Sequence, residues 1–127
     1  MLAHALDYAG LEAVGTAGDG AAGIDLFKSA APDLTLLDIR MPGMDGREVL
    51  AEIRAANPDA YVLMVSVSKD LESISQSMYR GAQDFIRKDR PMERIVKRLQ
   101  GHAERFRAGD LSTIAERVAG NLSDTED

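Results

Sequence analysis

With 127 residues and no cysteine, the chain is long enough for one domain and excludes disulfides and thiolate metal sites, which fits a reducing cytosol. Hydrophobic residues make up 45% and charged residues 28%, the balance of a globular protein, and a formal net charge of −6 argues against nucleic acid or an anionic membrane as a direct partner. No apolar run is long enough to span a bilayer and no signal peptide opens the sequence, so the expected location is the cytoplasm.

Residues 2–9 predict a short helix, with Leu2 and Leu6 one turn apart. Leu11 to Thr16 reads as a strand entered through Gly10. Gly18-Asp19-Gly20 is a turn, after which Gly20, Ile24, Phe27 and Ala31 share one helical face. Pro32 and Asp33 end that helix. Leu34 to Ile39 is a strand whose nearly continuous apolar residues imply cover on both faces, as in a parallel sheet. Val49, Leu50 and Ile53 form the buried stripe of a helix closed by Asn57-Pro58. Tyr61 to Val67 is a second continuous apolar strand. Leu71, Ile74 and Met78 mark the next helix, which Gly81 ends.

Asp84 to Ile86 is a short strand. Pro91 suits the first turn of a helix lined by Met92, Ile95, Leu99, Ala103 and Phe106. Gly109 breaks that pattern. A last amphipathic segment carries Leu111, Ile114, Ala115, Val118 and Leu122, and Ser123 to Asp127 form a polar, acidic, frayed end. His4 and His102 lie in helical patterns and read as solvent-facing residues rather than ligands or catalysts.

Strands alternating with helices imply an α/β fold with parallel strands, right-handed crossovers and helices on both faces. Functional groups in such sheets gather beyond the carboxyl ends of the strands. Asp38, Ser66 and Lys88 stand at or just past three successive strand ends. Each alone is an ordinary turn or loop residue. Together they bring one carboxylate, one hydroxyl and one ammonium to one edge. A carboxylate can attack phosphorus and form an acyl phosphate, and the charged transferred group needs positioning and neutralisation. Lys88 suits a phosphoryl oxygen or Asp38 itself, Ser66 can donate a hydrogen bond, and Mg²⁺ is the metal expected with such a group.

At these residues the sequence resembles the receiver domain of bacterial two-component response regulators. "PDLTLLDIRMPGMDG" (32–46) is similar to the family's phosphoacceptor segment, "AYVLMVSVS" (60–68) to the strand carrying its hydroxyl residue, and "GAQDFIRKDRP" (81–91) to the strand carrying its lysine. The resemblance covers residues 2–107. It implies a flavodoxin-like, doubly wound sheet of strand order 2-1-3-4-5. It also implies phosphorelay signalling, with transfer from a histidine kinase or phosphotransfer protein. Carried over, Asp38 is the phosphoacceptor, Ser66 the hydroxyl switch residue and Lys88 the phosphoryl-binding lysine. The backbone carbonyl of Arg40 would join Asp38 as a metal ligand. The Arg40 and Ser68 side chains would tune phosphoryl lifetime. Phe85 fits the aromatic that turns inward with the hydroxyl, or else an ordinary core residue. Asp89 follows Lys88 where the family commonly has proline, which lowers the chance of a cis peptide there.

The opening "MLAHALDYAGLEAVG" departs from the family, because it looks like the later half of a first helix. The family's first strand and its Mg²⁺-holding acidic pair have no counterpart in the sequence. Asp19 and Asp45 could face the same edge but are better explained as turn residues. Three readings stay open: an internal methionine at Met1, a degenerate receiver, or a short form that phosphorylates poorly. Without that strand the sheet would expose edges, so marginal stability and homodimer formation are expected.

The expected organisation is a receiver domain over 1–107, followed by a C-terminal amphipathic helix and acidic tail over 108–127. The expected role is a phosphorylated switch for an unidentified downstream protein, not an enzyme. The alternative is a pseudo-receiver that binds partners without phosphate. A phosphatase using Asp38 is weaker, since Arg40 stands where such hydrolases carry a second acid. The segment after 107 is too short and too acidic to bind DNA by itself.

Overall fold

The computed structural model describes residues 2–39, 44–66 and 81–113, with side chains from residue 5 onward. Within them, helix α1 (Leu2–Tyr8) is followed by α2 (Gly20–Ala30), β1 (Leu34–Asp38), α3 (Gly46–Ala56), β2 (Tyr61–Ser66), β3 (Asp84–Arg87) and α4 (Met92–Arg107). The three strands form a parallel sheet in the order β1-β2-β3. Leu34 pairs with Tyr61 and Asp38 with Val65, while Leu63 pairs with Asp84 and Ser66 with Arg87.

Alternation along the strands sends side chains to two faces. On one face Leu37, Val62, Met64 and Phe85 pack against Phe27 of α2 and Val49, Leu50 and Ile53 of α3. On the other, Tyr61, Leu63 and Ile86 pack against Ala5 of α1 and Ile95 and Leu99 of α4. Helices on both faces make the sheet doubly wound. All six residues of β2 are buried, which explains its unbroken apolar run. β1 is less covered than its composition implies: Leu34, Thr35 and Leu36 are half-buried and Leu37 alone is an apolar residue fully buried in it.

The helix ends are encoded locally. Asp19 caps α2, accepting from the Ala22 N–H at 2.8 Å, and Asp45 caps α3, accepting from the Arg47 N–H at 2.8 Å. Both aspartates are thus helix caps. α2 closes on Ala31 in the left-handed region, φ 47°, directly before Pro32. Gly81 and Gly109 take positive φ where the chain turns, 91° and 79°.

The expected strand from Leu11 to Thr16 is not formed. The segment carries no strand pairing, and Glu12 to Thr16 are exposed, Val14 at 61%. No described strand lies beside it, and a lone strand has no ladder to stabilise it. The helix expected around Leu71, Ile74 and Met78 lies outside the described residues. So do Ile114, Ala115, Val118 and Leu122. Leu111 to Thr113 are not helical.

Candidate functional site

Parallel pairing brings the carboxyl ends of β1, β2 and β3 to one edge of the sheet. Asp38 is the last residue of β1 and Ser66 the last of β2; Lys88 follows β3 immediately. The Lys88 N–H donates to the Ser66 carbonyl at 2.9 Å, extending the ladder by one residue and fixing the lysine beside β2. From there its ammonium reaches across the edge and forms an ion pair with Asp38 Oδ2. The side chains of Lys88 and Asp38 are 24% and 35% exposed, so the pair is open to a reactant on one side. Ser66 is buried between the two outer strands, at 2% exposure.

The loop after Asp38 is held by a close backbone approach. The Gly46 N–H donates to the Ile39 carbonyl at 2.8 Å. A Cβ at Gly46 would fall 2.0 Å from the Asp38 carbonyl oxygen and 2.8 Å from Ile39 Cα. Only glycine lets α3 start that near the acid. Phe85 lies one strand away, buried at 7% in the cluster with Leu37 and Met64. The described residues contain no cis peptide, the Lys88–Asp89 bond included. Arg40 and Ser68 lie outside the described residues.

Asp19 and Asp45 each have a local role. Asp19 caps α2, and Asp45 caps α3 while its two oxygens receive Arg47 Nε at 2.9 Å and an Arg47 terminal nitrogen at 2.8 Å. Among the described residues no three His, Cys, Asp or Glu side chains come together to hold a metal. Asp38 offers a single carboxylate, and one of its oxygens already faces Lys88.

The opposite, amino-terminal edge of the sheet carries a polar network that sequence reading missed. His102 is not solvent-facing: it is 2% exposed. Its Nδ1 lies 2.6 Å from the Tyr61 hydroxyl and its Nε2 lies 2.7 Å from Asp84 Oδ2. Arg98 donates to both oxygens of Asp84, at 2.7 Å each. The Phe85 N–H donates to Asp84 Oδ1 at 2.8 Å. Burial pushes the Asp84 carboxyl up, but the hydrogen bonds from His102 and Arg98, the Arg98 charge and the Phe85 N–H outweigh it. The carboxyl is held well below the usual carboxylate range. The same contact with Asp84 raises Arg98. A histidine inside an apolar stripe signals a buried partner, but Tyr61 and Asp84 are too distant in sequence to be named from it.

Comparisons with known proteins agree with this architecture. The family described as the response regulator receiver domain matches residues 1–100. The NarL transcriptional regulatory protein of Mycobacterium tuberculosis (strain H37Rv) is 41% identical over 95 residues, covering 74% of this chain and 44% of that protein. TcrX, a transcriptional regulatory protein of the same organism, is 32% identical over 127 residues, covering 100% of this chain and 54% of that protein. The chain thus spans about half the length of the curated relatives it matches. Among solved structures, the signal receiver domain of NarL from Mycobacterium tuberculosis aligns with a TM-score of 0.73 and 38% identity, covering 81% of this chain and 84% of that one. A CheX–CheY–BeF₃–Mg²⁺ complex from Borrelia burgdorferi aligns with a TM-score of 0.74 and 28% identity, covering 80% of this chain and 78% of that one. Fold, strand-end chemistry and relatives converge, and the chain belongs to the response regulator receiver domain family.

Proposed function

We propose that this domain accepts a phosphoryl group on Asp38 and uses the change in charge to alter the binding of a partner protein. The observation that carries the reading is the Asp38–Lys88 ion pair, which bridges the carboxyl ends of the two outer strands above the buried Ser66. A carboxylate oxygen of Asp38 attacks the phosphorus of a donor phosphohistidine on a histidine kinase or phosphotransfer protein. A P–O bond forms and the donor's P–N bond breaks, leaving the donor histidine and an acyl phosphate on Asp38. The Lys88 ammonium moves its hydrogen bonds from the carboxylate to a phosphoryl oxygen, and the Ser66 hydroxyl turns to donate to another. Phe85, on β3 and already buried beside β2, is placed to repack when Ser66 turns. The domain is then a substrate and switch, not an enzyme with turnover.

A CheY relative of the same fold crystallised with BeF₃ and Mg²⁺ supports the reading for the fold family. The described residues supply one carboxylate, so weak Mg²⁺ binding is expected: calorimetry should find no saturation at sub-millimolar Mg²⁺. The second reading is a receiver that binds partners without phosphate.

Intact mass after incubation with acetyl phosphate and Mg²⁺ separates the two. One phosphoryl adduct on the wild type, absent from Asp38→Asn and sharply reduced in Lys88→Ala, supports transfer. No adduct on protein shown by circular dichroism to be folded supports the phosphate-independent reading.

A further inference from the structure

We infer that residues 108–113 form a strap, latched by the Gln83 carboxamide, that holds the turn after α4 against the amino-terminal edge of the sheet. Gln83 stands just before β3 and is 1% exposed. Its Oε1 accepts from the Val62 N–H at 2.6 Å and from Arg54 at 3.2 Å. Arg54 also donates to the carbonyls of Pro58, Ala60 and Gly81, so its guanidinium is fixed by the loops around it. Two donors therefore dictate which end of the amide is oxygen. The Nε2 end must point the other way, and there it donates to the Leu111 carbonyl at 3.1 Å.

The strap is shaped to meet that donor. Gly109, at φ 79°, turns the chain out of α4, and its N–H donates to the Phe106 carbonyl at 3.0 Å. The Asp110 N–H donates to the Arg105 carbonyl at 2.9 Å, and the Asp110 carboxylate accepts from the Ser112 N–H at 3.1 Å. The turn sends Leu111 back against the cluster that α1 and α4 make with the sheet. The latch sits at the amino-terminal edge of the sheet, opposite Asp38. Gln83 directly precedes β3 and Lys88 directly follows it, so the latch and the lysine stand at opposite ends of that strand.

Gln83→Glu tests the latch selectively. A carboxylate keeps acceptors for Val62 and Arg54 but has no N–H for Leu111 and sets an oxygen against that carbonyl. In hydrogen-exchange mass spectrometry of the full chain, the amides of 109–112 should exchange several-fold faster in the variant. Those of β2 and the middle of α4 should keep wild-type protection. Leu111→Ser, which keeps the Gln83 side chain and removes the strap's apolar contact with the cluster on the sheet, should give the same local release if the first variant folds poorly. Wild-type exchange at 109–112 in either folded variant would overturn the strap. Asp38 phosphorylation in acetyl phosphate is read in the same samples and should not change, so the strap stands or falls separately from phosphotransfer.

Discussion

Two backbone positions carry opposite lessons about what a Cβ costs, and the first of them builds the acid edge. At Gly46 the absent side chain lets α3 begin against the Asp38 carbonyl, where a Cβ would lie only 2.0 Å away. The atoms that Cβ would meet, Asp38 O and C and Ile39 Cα, are all backbone, so no rotamer change can relieve the clash. Gly46→Ala should lower stability by about 1–3 kcal/mol, the cost of overpacking a tight site. It should also push Asp38 away from Lys88, so phosphorylation by acetyl phosphate falls by more than stability alone explains. Urea melts beside intact-mass kinetics check both. Ala31 is the reverse case. It ends α2 at φ 47° although a side chain disfavours that region. Ala31→Gly should raise the chemical-denaturation midpoint, with a gain of up to about 1 kcal/mol, because left-handed strain of about 1–2 kcal/mol is relieved at some entropic cost. An unchanged or lower midpoint would show that the strain is already relaxed.

At the scale of elements, helices with a one-sided apolar stripe were legible, and so was the fully buried β2. The stripe of Val49, Leu50 and Ile53 and that of Ile95, Leu99 and Ala103 both reach the core. What failed were features whose determinant lies elsewhere in the chain. Leu11 to Thr16 has strand-like residues, but a strand exists only with a neighbour, and among the described residues none pairs with it. His102 and Gln83 look polar and local, yet each is settled by partners more than fifteen residues away. The acid, hydroxyl and lysine were legible because a parallel sheet puts consecutive strand ends together. Asp38 was one of two partners open to Lys88 in the sequence, and the structure shows their ion pair formed across β2.

β1 carries a further consequence at that scale. It is an edge strand, apolar on both faces, and among the described residues nothing pairs with its outer side. Because the Ile39 N–H donates to Val65 at 3.3 Å, alternate residues turn their backbone groups to β2, leaving those of Leu34 and Leu36 facing outward. Open apolar edges template further pairing. Sedimentation velocity should show association that grows with concentration, and Leu36→Lys should weaken it. A concentration-independent monomer would mean the edge is covered.

For the molecule as a whole, acid stability should be governed by the buried edge remote from the phosphoacceptor. Asp84 joins three elements: it begins β3, binds Arg98 and His102 of α4, and reaches Tyr61 of β2 through His102. Its folded-state carboxyl lies far below the ordinary value near 3.9 that it regains on unfolding. A depressed carboxyl contributes stability that is fully present above the unfolded value and lost as pH falls below it, because the unfolded chain then takes up a proton the folded one refuses. The unfolding free energy should therefore hold steady near neutrality as far as this group is concerned, then fall below about pH 4. Asp84→Asn removes the titrating group while keeping its shape. It should be less stable than wild type at pH 7, where it loses the charge paired with Arg98, and should show a shallower acid limb. Urea melts from pH 7 to about pH 3 measure both slopes. Parallel limbs in the two proteins would mean that other carboxylates carry the acid transition and that the Tyr61–His102–Asp84–Arg98 network is a packing feature without proton linkage.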